Sequence, residues 1–212
     1  MKRVIVFCGH YGSGKTNIAV NYALALNKAG CRTAIADIDI VNPYFRTKDS
    51  ETLLKEQGID VISLPFANTN VDLPSLPSEV YALVQNHSKY AVFDVGGDDR
   101  GAYALGRYAP YILEENDYEM VFVVNFYRPL TQTADDAFVV LKEIEQACGI
   151  PFTAIVNNSN LGTETTYDDI AATDNKVRDL SQKAGIPVLF TSAEKALCRD
   201  GMFALDLQKN LF

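Results

Sequence analysis

Short apolar runs alternate with helically spaced ones along most of the chain. Val4–Cys8 is a contiguous apolar run rich in β-branched residues, the pattern of a buried strand. Over Asn17–Ala29 the residues Ile18, Ala19, Tyr22, Ala23 and Leu26 fall at helical spacing, and Gly30 closes the segment. Thr33–Ala36 is a second strand-like run ending at Asp37, and Val61–Leu64 reads as a third. Pro65–Pro77 holds three of the eight prolines and reads as an ordered loop, followed by a helical pattern over Ser78–Asn86. Tyr90–Phe93 is another strand, ending at Asp94, and Glu119–Val124 follows it. A helix over Thr131–Ala147, a strand at Phe152–Val156, a helix at Lys176–Ala184 and a strand at Pro187–Phe190 complete the pattern.

Strands that are apolar throughout and alternate with helices predict βαβ units. The expected fold is α/β: a single doubly wound, mostly parallel sheet flanked by helices on both faces. With 212 residues, the default is one domain over 1–212, and neither a repeat nor a linker interrupts it. In such sheets ligands bind beyond the carboxyl ends of the strands, and each polar motif described below follows a strand.

Composition narrows the partners. The net charge of -8 argues against nucleic acid and anionic membranes, both of which need a positive surface. Cys8, Cys31, Cys148 and Cys198 form no C-x-x-C pair, which suits isolated, mostly buried thiols in a reducing compartment. The sequence opens without a secretory pattern, and no apolar stretch reaches ~20 residues. A cytoplasmic protein is expected.

The chemistry starts at FCGHYGSGKTNIAV, residues 7–20, which contains Gly9-x-x-x-x-Gly14-Lys15-Thr16 between a strand and a helix. Glycines at 12 and 14 let the backbone curl so that its N–H groups face phosphate oxygens, and the helix adds its positive end. Gly9, Gly12, Ser13, Gly14, Lys15, Thr16 and Asn17 are the expected phosphate-binding set. Lys15 is expected on the β- and γ-phosphates and Thr16 on Mg²⁺. The next strand leaves Asp37-Ile38-Asp39, two carboxylates able to meet a metal and an attacking water. The one after it ends VFDVGGDD. Here Asp94 is a candidate Mg²⁺ ligand, and Gly96–Gly97 form a hinge whose N–H groups can sense a γ-phosphate, as in a switch segment.

The order of the P-loop, ADIDIVNPYF, VFDVGG and IVNNSN resembles the MinD/ParA/CobQ-type P-loop ATPases of the SIMIBI class, over Lys2 to about Ser192. That resemblance implies ATP and Mg²⁺ as cofactors. It also implies Asp39 as the residue positioning the hydrolytic water, Asp37 near the metal, and Asn157 as an adenine contact with Asn158 beside it. The guanine-reading Asn-Lys-x-Asp pattern is absent there, so adenine is expected. One position departs from the family. Members such as MinD and ParA carry a signature lysine right after the first glycine of the loop, which crosses a dimer to the partner's nucleotide; here the residue is His10, followed by Tyr11. A neutral imidazole does not replace a permanent cation, so slow intrinsic turnover is expected. Arg46, Arg100 and Arg128 are alternative cation sources.

The leading expectation is an ATP-driven, Mg²⁺-dependent switch read by a protein partner, with a homodimer possible. The alternative is an ATP-dependent small-molecule ligase or kinase resembling dethiobiotin synthetase or the CobQ/CobB enzymes, with VNPYFRT and RGAYALGRYAPY lining a substrate pocket. A metal-delivery NTPase fits less well, because His10 and His87 are far apart and the cysteines are unpaired. Phe203, Leu207 and Leu211 share a helical spacing at the C-terminus, and that segment is expected to dock on the protein's own core.

Overall fold

The computed structural model describes residues 1–38, 51–63, 78–97 and 99–206. Among the described residues eight strands form one sheet in the order β3-β2-β4-β1-β5-β6-β7-β8. They are β1 (Val4–Cys8), β2 (Thr33–Asp37), β3 (Asp60–Ser63), β4 (Tyr90–Asp94), β5 (Tyr118–Val124), β6 (Ala154–Asn157), β7 (Val188–Glu194) and β8 (Phe203–Leu205). Every pairing between neighbours is parallel. The helices are α1 (Lys15–Lys28), α2 (Glu51–Glu56), α3 (Ser78–Gln85), α4 (Asp99–Gly106), α5 (Ala109–Glu115), α6 (Ala134–Cys148), α7 (Tyr167–Ala171) and α8 (Asp174–Ala184), with a 3₁₀ turn at Gly162–Glu164.

The two-residue period of the strands sorts their side chains into two layers. Val4, Val6, Cys8, Ala91, Phe93, Met120, Phe122 and Val124 face a core closed by residues of α3, α4, α5, α6 and α8. Ile5, Phe7, Ile35, Val92, Val121, Val123 and Val156 face the other way, against Ile18, Ala19, Ala23 and Leu26 of α1 and Leu54 of α2. Both faces of β1 are therefore covered. That is why its sequence reads as an unbroken apolar run, and burying each large side chain there stabilises the fold by about 1.5–3 kcal/mol.

Several boundaries move by a few residues from the expected ones. The helix after the P-loop begins at Lys15 rather than Asn17. The one expected at Thr131 begins at Ala134, where the Thr133 hydroxyl accepts the Asp136 N–H at 3.1 Å and caps it. The C-terminal reading is corrected over part of its length. Phe203–Leu205 is a strand beside β7, not a helical turn. There the Phe203 ring stacks on Phe190 at 4.7 Å. Asn21 of α1 holds the strand's end by exchanging hydrogen bonds with the Asp206 backbone, at 3.1 and 2.9 Å. A strand that satisfies its backbone along β7 and its ring against Phe190 overrides a weak helical spacing. Leu207, Leu211 and the Pro65–Pro77 segment lie outside the described residues. No helix among the described residues is long and apolar enough to cross a membrane.

β1 sits at the centre, with β4 on one side and β5 on the other. The chain lays β2, β3 and β4 on one side of β1, then crosses to build β5 through β8 on the other. The crevice this reversal opens lies at the carboxyl end of β1, where the P-loop begins.

Candidate nucleotide-binding site

The loop from Gly9 to Gly14 connects β1 to α1. From His10 to Gly14 each carbonyl group meets a donor. The His10 carbonyl accepts the Ser13 N–H at 3.1 Å and the Lys15 ammonium at 3.3 Å. The Tyr11 carbonyl lies 3.0 Å from Nδ1 of His10. The Gly12 carbonyl accepts from Nε of Arg128 at 3.1 Å, and the Ser13 carbonyl from the Asn158 amide at 2.7 Å. The Gly14 carbonyl accepts the Ile18 N–H at 3.1 Å and opens α1.

Because a trans peptide points its C=O and N–H in opposite directions, carbonyls held on one side set the N–H groups on the other. Among the described residues the N–H groups of Gly12 and Gly14 have no acceptor. Gly14 has φ 86°, a left-handed conformation that a side chain would strain, and the Asn158 amide fills the place of its missing Cβ. The Ser13 hydroxyl is buried with no hydrogen-bond partner among the described residues. A backbone cradle with unaccepted N–H groups at the start of a 14-residue helix fits a phosphate chain.

Sheet register brings the carboxylates to this place. Asp37 ends β2 and Asp94 ends β4, and the two are direct neighbours across the parallel pair. Neighbouring strands lie about 4.8 Å apart, so the residues are adjacent. Phe7, just before the loop, is the β1 partner of Asp94. Asp37, Asp94 and Lys15 are 4%, 2% and 7% exposed, so the charges are held in the interior rather than on a solvated turn. Thr16, the second residue of α1, is half-buried, as is Asn17. The hydroxyl and two carboxylates are hard oxygen donors of the kind Mg²⁺ takes, completed in nucleotide sites by phosphate oxygens and water. Among the described residues no group of three or more His, Cys, Asp or Glu could hold a metal by itself.

The loop after β4 lies directly on the P-loop. A Cβ added to Gly97 would stand 2.7 Å from the Lys15 ammonium and 2.7 Å from the Tyr11 nitrogen. One turn into α4, a Cβ on Gly101 would stand 2.7 Å from the Cα of Gly96. Glycines thus bring the β4 loop, α4 and the P-loop into backbone contact. Beneath them, at the end of β1, the thiol of Cys8 is pushed up to about 12 by burial, partly offset by Lys15.

On the opposite side the expected base contact takes a different place. Asn157 is fully buried. Its amide donates to the Thr173 hydroxyl at 2.9 Å, and its carbonyl oxygen accepts from Ser159 N–H at 3.2 Å and Ser159 hydroxyl at 2.7 Å. A base contact from Asn157 would require giving up these bonds. Asn158 is engaged at both ends, on the Ser13 carbonyl and by the Ser192 hydroxyl at 2.8 Å. A further asparagine, Asn125, escaped the sequence reading. It is fully buried and ties its own loop to the next one, donating to the Asn160 carbonyl at 3.1 Å and accepting the Tyr127 N–H at 3.0 Å. Its signal was available: a polar residue directly after the apolar strand Tyr118–Val124.

Of the remaining candidates, Gly9 packs against the Val123 carbonyl. Asp39 and Arg46 lie outside the described residues, as does the side chain of Arg100. The segment RGAYALGRYAPY contributes to α4 and α5, with Tyr108 in the core against Tyr81 and Tyr103 exposed.

No family model matches the chain, and no curated protein matches it in sequence. Solved structures do match in fold. Cell division protein FtsY from Thermotoga maritima superposes with a TM-score of 0.62 at 19% identity, over 92% of this chain and 62% of that one. Signal recognition particle receptor FtsY from Elizabethkingia anophelis in complex with GDP gives 0.60 at 17%, over 92% and 58%. The signal recognition particle 54 kDa protein from Aeropyrum pernix K1, also in complex with GDP, gives 0.59 at 16%, over 90% and 41%. The chain therefore spans about three-fifths of the length of the FtsY structures and less of the third. At these identities the likeness is one of fold: an α/β sheet of the P-loop NTPase type.

Proposed function

We propose that this chain binds a Mg²⁺–nucleoside triphosphate on Gly9–Asn17 and acts as a nucleotide-dependent switch with slow intrinsic hydrolysis, as a single domain over 1–212. The observation that carries the reading is the P-loop backbone itself, with its carbonyls from His10 to Gly14 engaged and the N–H groups of Gly12 and Gly14 without an acceptor among the described residues, beside Lys15, Asp37 and Asp94. In this reading Lys15 holds the β- and γ-phosphates, and Thr16, Asp37 and Asp94 serve Mg²⁺. Asp39 positions the attacking water, and the N–H of Gly97 follows the presence of the γ-phosphate. The bound ion would screen the phosphate charge. The chain's own contribution is to orient the phosphates and keep Asp37, Asp94 and Lys15 desolvated around them.

ATP is the nucleotide favoured by the residues after β6, Asn157-Asn158-Ser159-Asn160, which lack the guanine-reading pattern. GTP is the second reading. It is supported by the two similar folds that carry GDP and by the occupied side chain of Asn157. A switch acts on something, and a protein partner or a second copy of the chain is the reading adopted over phosphoryl transfer to a small molecule. The membership suggested by MinD/ParA/CobQ-type motifs remains part of this proposal.

The test is an equilibrium titration of the wild type and Lys15→Ala with fluorescent ATP, ADP, GTP and GDP in Mg²⁺. The wild type should bind one base in preference to the other, and Lys15→Ala should weaken that triphosphate by at least about a hundredfold, the loss of a charge-assisted contact in a desolvated site. Equal affinity of the two proteins would overturn the site.

A further inference from the structure

We infer that Arg128 is a positioning residue for the phosphate site, supplying from within the same chain a permanent positive charge at the P-loop. The inference rests on the nucleotide reading above.

The loop after β5 is built to deliver this side chain. Asn125 is fully buried, and its carbonyl accepts both the Arg128 N–H at 3.1 Å and the Thr131 hydroxyl at 2.7 Å. Its side chain fixes the Tyr127 N–H, while the Phe126 N–H donates to the Ser159 hydroxyl at 3.0 Å. The Tyr127 hydroxyl donates to the Asp169 carbonyl at 2.8 Å. The loop is thus fastened to the loop after β6 and to α7 before Arg128 leaves it.

Arg128 then crosses to the P-loop. Its Nε donates to the Gly12 carbonyl, and its Nε and Cδ lie 3.4 and 3.5 Å from the place of a Gly12 Cβ. The contact joins residues 116 positions apart. Of the three nitrogens of the Arg128 guanidinium, Nε alone has a hydrogen-bond partner among the described residues. The carbonyl that Arg128 holds belongs to the Gly12–Ser13 peptide, whose N–H closes the turn onto His10. Arg128 therefore acts on the cradle through its outer wall. It fixes the turn that sets the Gly12 and Gly14 N–H groups, and it places a full positive charge one peptide from them.

His10 does not fill this role. Its Nδ1 faces the Tyr11 carbonyl, an acceptor, so Nδ1 carries the hydrogen and the ring needs no charge to make the contact. A guanidinium stays charged at every working pH. Its field acts more strongly on a triphosphate than on a diphosphate, because the γ-phosphate adds charge. A residue that merely packs against Gly12 would weaken both nucleotides alike.

The experiment measures affinities for Mg²⁺-ATP and Mg²⁺-ADP, or the guanine pair if the wild type prefers it, in wild type, Arg128→Gln, Arg128→Lys and Lys15→Ala. Arg128→Gln keeps an N–H donor and removes the charge. It should cut the preference for triphosphate over diphosphate about tenfold, with the difference shrinking as salt rises. Arg128→Lys should keep that preference within about threefold of the wild type. Thermal denaturation of each variant reports folding. An unchanged preference in Arg128→Gln, or an equal loss for both nucleotides in Arg128→Gln and Arg128→Lys, overturns the assignment to Arg128 alone. Lys15→Ala binding as tightly as the wild type overturns the phosphate site itself, and this proposal with it.

Discussion

Replacing Gly97 by alanine tests whether the nucleotide site needs the close backbone approach of the β4 loop to the P-loop. The added methyl carbon would stand 2.7 Å from the Tyr11 nitrogen and 2.8 Å from the Tyr11 Cα. Carbon atoms in contact prefer about 3.5–4.0 Å, so the overlap is roughly 1 Å. The Lys15 ammonium, also at 2.7 Å, is the end of a flexible chain and can retreat. The Tyr11 backbone cannot, because the carbonyls on both sides of it are held by Ser13, Lys15 and His10. One loop must give way, at about 1–3 kcal/mol for an overpacked site. In a domain of 212 residues each kcal/mol lowers the melting temperature by roughly 2–4 °C, so a fall of about 2–12 °C is expected. Gly149→Ala is the matched control. Its methyl meets nothing within 4 Å, but φ is +71°, and the left-handed strain of about 1–2 kcal/mol gives a similar thermal loss far from the phosphate loop. Thermal denaturation with a parallel titration of labelled nucleotide separates the two variants. Both should melt earlier, and Gly97→Ala alone should lose triphosphate affinity, by about tenfold or more. A wild-type melting temperature for Gly97→Ala, or the same affinity loss in both variants, would refute the argument.

Asp39→Ala should keep nucleotide binding and lower hydrolysis by about 10²–10³ in a single-turnover assay; loss of Mg²⁺-dependent binding instead would place Asp39 on the metal. At the amino end of β1, Arg3 is bonded to Glu115 and to the carbonyls of Leu83, Val84 and Lys89, with the Arg3 and Glu115 side chains 9% and 6% exposed. Glu115→Gln leaves that guanidinium uncompensated, so urea denaturation should give a loss of about 3 kcal/mol with nucleotide affinity unchanged. Thiol labelling of the native protein at pH 8 should show Cys31 and Cys198, partly exposed, reacting fast. Cys8, with its pKa pushed up to about 12, holds roughly one thiolate in ten thousand at that pH and should label only on unfolding.

The strands were legible because parallel strands buried on both faces must be apolar at every position, and Val4–Cys8 or Tyr90–Phe93 can hardly be read otherwise. That Asp37 and Asp94 end up side by side was legible for the same reason: each ends such a run, and parallel pairing stacks the ends together. The helices α4 and α5 were not. Their segment carries Gly101 and Gly106 where a helix would prefer alanine, and the reason for Gly101 is the backbone of Gly96, which only the tertiary fold brings near. The asparagines were half legible. Residues after strands are expected to be polar, but whether an amide faces a base or a carbonyl depends on a partner up to 145 positions away, as for Asn158 and Ser13.

The two sides of the P-loop are built from different interactions, and this bears on how a switch would work here. On the β5–β7 side the loop is gripped by directional hydrogen bonds from buried or half-buried side chains: Arg128 to Gly12, Asn158 to Ser13, and Ser192 holding Asn158. Such bonds fix distance and angle, and breaking one inside the protein leaves a polar group unsatisfied. On the β4 side, the close approach of Gly97 to Tyr11 is made by backbone that lacks a side chain. A contact of that kind excludes volume but holds no preferred direction, so in the proposed switch the β4 loop would shift against the P-loop at smaller cost. A γ-phosphate entering beside Lys15 would meet a fixed wall on one side and a slidable one on the other. The displacement it causes would then pass to α4, whose Tyr103 is 64% exposed at the surface. An ordered phosphate cradle and a movable reporter are opposite demands, and in the proposed switch they would be met by side-chain hydrogen bonds for the first and the Gly97 contact for the second.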